Sequence, residues 1–348
     1  MTTTAPVLPP EVAASQLLIQ LATGHLVSSA LQVVARLRIA DRLASGPQPV
    51  QVLAADAGVQ EDALYRVLRA LASVGVFDEV APRRFALTAA GTLLRSDVPG
   101  SMHPMALWIS SPFHFKVYGE LIHSVRTGQP AAEKVTGVPV FEYFPKDPEL
   151  SEIFNDAMTA FSNAVIPAAL KAYDFSGIEL LVDVAGGHGA VLTAILREYP
   201  TIRGVLFDLE HVVAGAKGLI AEARVGDRCR VESGDFFKAV PAGGDAYVMK
   251  HIIHDWDDER ATAILRNIRT AMGEKRGRVI LLESVIQPGN APDFGKIIDL
   301  EMLAMPGGRE RTAEEFRALL AGAGFELTRV IPTESPLSVI EARATAGA

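Results

Sequence analysis

Residues Leu180–Pro200, LLVDVAGGHGAVLTAILREYP, decide the fold. An apolar run, a glycine cluster and then apolar residues at helical spacing predict a strand, a turn and a helix. Gly186, Gly187 and Gly189 remove side chains where backbone must come close to a ligand. A dinucleotide turn needs G-x-G-x-x-G, but Gly187-His188-Gly189 is followed by Ala190, Val191 and Leu192, so the third glycine is missing. A P-loop is excluded because no Gly-Lys-Ser/Thr follows. From this turn to the C-terminus, strands (ELLVDVA, GVLFDL, RCRVESGD, AYVMKHII, RVILLESVI, FELTRVIP, PLSVIEARA) alternate with helices. That alternation predicts an α/β, doubly wound, mainly parallel sheet. Only Thr-Glu-Ser separates the last two strands, too short for a parallel crossover, so the sheet should end in an antiparallel hairpin.

In such sheets ligands bind beyond the carboxyl ends of the strands. Three acids fall there. Asp183 opens the glycine motif, where it would repel a pyrophosphate and suit an ammonium or sulfonium. Asp208 ends the second strand, where a carboxylate accepts from ribose hydroxyls. Asp235, in Ser-Gly-Asp-Phe-Phe, follows the third strand; it can accept from an adenine amino group while Phe236 packs on the ring. The bland alternative for Asp235 is a turn or N-cap residue. Together the acids describe an adenosyl ligand with a cationic amino-acid tail, S-adenosylmethionine, leaving S-adenosylhomocysteine as product.

Outward from this segment the chain is more helical. Residues 1–12 read as a loose tail, 13–44 as a helix apolar on more than one face, and 48–95 as helix, turn, helix and two-stranded ribbon, a winged-helix pattern. Prolines interrupt an aromatic-rich stretch with helices expected at about 103–126 and 148–173. The resulting division is 1–100, a helical winged-helix dimerisation domain; 101–172, a helical connector lining a substrate pocket; and 173–348, the cofactor-binding catalytic domain. A winged helix raises DNA binding, yet residues 1–100 carry eight basic against eight acidic side chains, and the whole chain has net charge -8. No phosphate-binding face follows from that balance, so no nucleic-acid partner is expected. One cysteine, Cys229, allows no internal disulfide and fits a reducing cytoplasm. No signal peptide, uninterrupted apolar span or membrane partner is expected.

The motifs DVAGGHG, FDLEHVV, GDFF, KHIIHDWDDE, LLESVI and PGGRERTAEEFRALLAGAGF together resemble the class I S-adenosylmethionine-dependent O-methyltransferases of plant phenolic and bacterial polyketide metabolism, over nearly the whole chain. The resemblance implies a Rossmann-like class I methyltransferase fold. Gly186, Gly187 and Asp183 would hold the cofactor's tail, Asp208 with Leu209 its ribose, and Gly234, Asp235 and Phe236 its adenine, with Lys250 on the cofactor side. It implies His254 as catalytic base, Glu283 and Glu310 as the acids that hold it, and Met158, Phe161, His251 and Met302 as acceptor-pocket wall. Family members are homodimers through interlocking N-terminal helices. The chain departs from the plant pattern at Met305, where an asparagine often stands before Pro-Gly-Gly, so its acceptor is held differently.

Methyl transfer from a sulfonium needs a nucleophilic oxygen about 3 Å from the methyl carbon, held in line. A phenol with pKa near 10 attacks poorly until its proton is removed, and a histidine near 6.5 is mostly neutral and can accept it. A carboxylate on the other ring nitrogen fixes the tautomer; Glu283, ending the next strand, can reach it. Asp255 reads as the cap of the following helix. His251 and His254 form H-x-x-H on a strand and turn rather than one helix face, so no metal site is expected. Rival readings keep the cofactor but do N-methylation, decarboxylation or hydroxylation. Others are a ligand-sensing DNA-binding regulator and a nicotinamide oxidoreductase.

Overall fold

The computed structural model describes residues 9–345. The expected tail lies mostly outside them; from Pro10 the chain is helical. The described residues divide into two compact units, 9–115 with 149–160, and 116–148 with 161–345. The stretch 101–172, expected as one connector, is therefore distributed over both.

In the first unit the expected helix 13–44 is two. Helix α1 spans Pro10–Arg36, and Arg38 in the left-handed region turns the chain into Ile39–Arg42. Helices Val50–Ala57 and Glu61–Ser73 follow, then the strands Phe77–Ala81 and Arg84–Leu87, with Gln48–Pro49 pairing on the ribbon's free edge. Val50, Leu53, Leu64, Leu68, Leu71, Phe77 and Phe85 fill its core. Arg83, at the ribbon turn, is neutralised by Glu61 at 2.8 Å and lies over the Tyr65 ring. Most of α1 is exposed, including Leu17, Leu18, Leu21 and Leu26. By length and mean hydropathy (1.5) it would also pass as a membrane span, which composition did not anticipate.

The single helix expected at 103–126 is three: His103–Ile109, Pro112–Gly119 and Leu121–Thr127. Pro112 disfavours helical backbone at the residue before it, which explains the first break. Helix α2, Pro148–Ala172, contributes residues to both units.

In the second unit, strands β1 (Leu180–Val184), β2 (Arg203–Asp208), β3 (Cys229–Ser233), β4 (Ala246–Lys250), β5 (Arg278–Glu283), β6 (Phe325–Pro332) and β7 (Ser338–Ala344) form one sheet in the order β6-β7-β5-β4-β1-β2-β3. The first five are parallel and β7 runs antiparallel to both neighbours, as the short connection required. Alternation sorts the side chains. Val182, Val184, Tyr247, Met249, Val279 and Leu281 join one buried layer, whereas Leu181, Leu206, Val248, Ile280 and Leu282 join the other. Both faces are covered, which is why these strands read as continuous apolar runs. Helix α3 (Ala190–Glu198) packs in the second layer; α4 (Asp258–Met272) and, after α5 (Phe294–Ala304), α6 (Ala313–Gly322) pack in the first.

Candidate active site

The glycine turn leaves β1 at the expected edge. Gly187 and Gly189 have φ of 60° and 88°, which only glycine adopts freely. A Cβ on Gly186 would lie 2.6 Å from the Asp183 carboxylate. Asp183 is the fourth residue of β1. Sharing a face with Leu181, it points under the turn, is buried, and accepts the Leu192 N–H at 3.2 Å. Burial pushes its carboxyl up to about 7. It braces the turn on α3.

Asp208 closes β2 with its carboxylate on the N–H groups of Gly187 (2.8 Å) and Leu209 (2.7 Å), and burial raises its pKa. Leu209 is exposed beside it. On the neighbouring strand, Gly234 donates to the Asp208 carbonyl, and a Cβ there would meet the Phe207 ring at 2.7 Å. Asp235 accepts from Phe237 N–H at 2.9 Å, and Phe236, Phe237 and Trp256 form an edge-to-face ring cluster next to it. Two carboxylates at adjacent strand ends, a glycine-rich turn and aromatic faces fit a nucleoside with a diol and an exocyclic amine. Lys250 ends β4; burial lowers its pKa against the pull of Glu283 and Asp183.

The strand expected to run through His251 stops at Lys250, because His251 turns to φ 53°. Its ring is stacked between Phe161 (centroids 4.9 Å) and His254 (4.4 Å), and burial drives its pKa well below 6.5, so it is neutral. His254 lies four residues beyond the strand, in the short 3-10 turn Ile253–Asp255. Its Nδ1 is 2.7 Å from Glu310 Oε1 and 3.9 Å from Glu283 Oε2. Glu310 is therefore the acid hydrogen-bonded to the ring, and it is buried. Glu283 instead accepts the backbone N–H groups of Ile252 and Ile253 at 3.1 and 2.9 Å, fixing the turn. Asp255 is no helix cap; Asp257 caps α4. Asp255 is turned inward, 3.5 Å from His254 Nε2, and burial raises its carboxyl to about 6. Burial would depress the imidazole, but Glu283, Asp255 and Glu310 outweigh it and raise His254 to about 10; burial also raises Glu283, to about 7.

Met302 and Met305, at the C-terminal end of α5, are buried in the second unit, whereas Met158 lies on α2 in the first. His251, His254 and Glu283 have ligand-type atoms within 4.8 Å of one another. Sequence reasoning did not single out Arg311, completely buried beside this turn. An arginine directly after a candidate catalytic acid was the available signal.

An O-methyltransferase domain model matches residues 118–326, and an O-methyltransferase dimerisation domain model matches 19–97. The chain belongs to the O-methyltransferase family. Phenazine O-methyltransferase PhzM of Lysobacter antibioticus is 45% identical, covering 94% of this chain and 96% of that protein. An 8-amino-8-demethylriboflavin N,N-dimethyltransferase of Streptomyces davaonensis is 37% identical over 97% of this chain and 98% of its own. The structure of CalO1, a methyltransferase in calicheamicin biosynthesis in its SAH-bound form, superposes with TM-score 0.86 at 34% identity, covering 97% and 100% of the two chains. This methyltransferase thus has the class I fold, uses S-adenosylmethionine and acts in O-methylation of the aromatic secondary-metabolite type. The matched dimerisation domain covers most of α1.

Proposed function

We propose that the enzyme methylates a hydroxyl of a flat aromatic or polyketide-type small molecule, with His254 as general base, and that it works as a homodimer through its N-terminal domain. The observation that carries this reading is the buried 2.7 Å contact between His254 Nδ1 and Glu310. In the uncharged ring, which the raised pKa places above neutral pH, a carboxylate there keeps the proton on Nδ1 and leaves Nε2 to accept one from the acceptor hydroxyl. Asp255, near Nε2, then stabilises the imidazolium. A base raised to about 10 matches a phenol of similar pKa, so the proton moves without a large uphill step. S-adenosylmethionine, when bound, supplies the methyl group as an electrophile on a sulfonium. Asp208, Asp235 and the glycine turn would fix its nucleoside, and the Phe161–His251–His254 stack supports a planar acceptor. The exposed apolar face of α1 supports burial against a second copy.

His254→Ala should lower kcat by about 10² or more while calorimetry finds S-adenosylmethionine affinity nearly unchanged. Undiminished turnover would leave positioning alone as the source of rate and sink the base assignment. The acceptor screen should pair phenols and naphthols with aromatic amines, because one relative is an N,N-dimethyltransferase. Exclusive turnover of amines would overturn the hydroxyl assignment.

A further inference from the structure

Residues Gly308–Arg311 contact the turn that carries His254 at every position. Gly308 lies flat against it, and a Cβ there would run into the His254 carbonyl oxygen and the Asp255 backbone. Arg309 N–H donates to that same carbonyl at 2.8 Å. Glu310 holds Nδ1. Arg311, fully buried, donates from Nη1 to the Ile253 carbonyl (3.1 Å) and from Nη2 to the Trp256 carbonyl (2.8 Å). Its Nε and Nη2 also reach Asp258 Oδ1 at 3.0 and 2.8 Å, on the first residue of α4. Arg311 and Thr312 pair in parallel with Val285 and Ile286, just past Glu283, so the strap is in register with the second acid.

A buried guanidinium is costly unless its donors are satisfied. Here the planar fork bridges the carbonyl before His254 to the one two residues after it and ties both to a helix start, a geometry an ammonium cannot reproduce. We propose that Arg311 is a positioning residue for methyl transfer, fixing the backbone of the His254 turn so that Nε2 stays aimed at the acceptor oxygen. The proposal rests on the reading of His254 as base. Misplacing a reacting group by about 1 Å costs on the order of 10²-fold in rate, so loosening the turn is felt in turnover before it is felt in cofactor binding.

The test uses the full-length protein with Arg311→Met, Arg311→Lys, Asp258→Asn and His254→Ala, measuring kcat, KM for an accepted phenol, S-adenosylmethionine affinity, the pH–rate profile and the ¹⁵N imidazole spectrum of His254. The groups facing His254 are Glu310, Glu283, Asp255 and His251, and Lys250 acts on the last three. Arg311→Met should lower kcat about 10²-fold with cofactor affinity within about twofold, and should move both the pH limb and the His254 resonances. Arg311→Lys should recover only part. If Arg311→Met does not fold, Asp258→Asn, changed at an exposed carboxylate, should still lower kcat by about threefold or more. Wild-type kcat and an unmoved pH limb in the folded variants would overturn the proposal, as would activity lost only in step with cofactor affinity. If His254→Ala is inactive while both anchor variants are normal, positioning fails and the base assignment stands. If His254→Ala is active, both fail.

Discussion

At the scale of single residues, the site turns on how charge is distributed round one imidazole. The carboxylates favour the protonated form of His254, and the base proposed for it acts only once the ring is deprotonated. The rate should therefore rise with pH toward about 10. Glu310→Gln keeps a hydrogen-bond acceptor but removes a negative charge 2.7 Å from Nδ1, so the folded-state pKa falls. The limb of log kcat/KM should move to lower pH by about one to three units, and turnover at high pH should drop about tenfold because the base is weaker. A pH–rate profile checks both; an unmoved limb would mean that Glu310 does not set the base. His254 and Glu310 were legible because each sits in a motif that strand ends and resemblance make specific. Asp255 was not. In His-Asp-Trp-Asp-Asp any of three acids suits a helix start, and only the true position of α4 assigns the cap to Asp257 and frees Asp255 to turn inward. Arg311 was equally silent, since a buried arginine looks like a surface one until its carbonyl partners are known.

Among elements, the terminal hairpin carries its own polar lock. Glu341 of β7 is buried and accepts from Tyr173 OH, from Arg329 at 2.6 Å and from Thr328 at 2.8 Å. Burial alone would raise its pKa, yet these donors lower it to about 2. A folded pKa below the unfolded 4.5 gives stability that is present above pH 4.5 and lost as pH falls toward 2. Glu341→Gln should cost about 2 kcal/mol at neutral pH and flatten the acid limb of stability in urea titrations across that window. An unchanged acid limb would place the acid sensitivity elsewhere. The hairpin itself was legible, because a connection that short forbids a crossover. Element ends were less so: His251 looks like strand until its backbone turns to positive φ, and Pro112 looked like an interruption inside one helix when it separates two.

For the whole molecule, the apolar surface that matters most is on α1. Leu17, Leu18, Leu21 and Leu26 are exposed along a helix that the matched dimerisation domain largely includes. Leu18→Glu with Leu21→Glu should convert the dimer to monomer in sedimentation velocity, since burying an unpaired charge costs more than the interface regains. A dimer that persists would assign association to another surface. Two-faced apolarity in α1 was readable in the sequence, though not which face stays uncovered within one chain. The close seat of Gly308 under the His254 carbonyl has a consequence for engineering. A library built to test the proposed acceptor-pocket positions Met302 and Met305 should leave Gly308 untouched, because a single added methyl there would push into the turn that carries His254 before any change of specificity could be read.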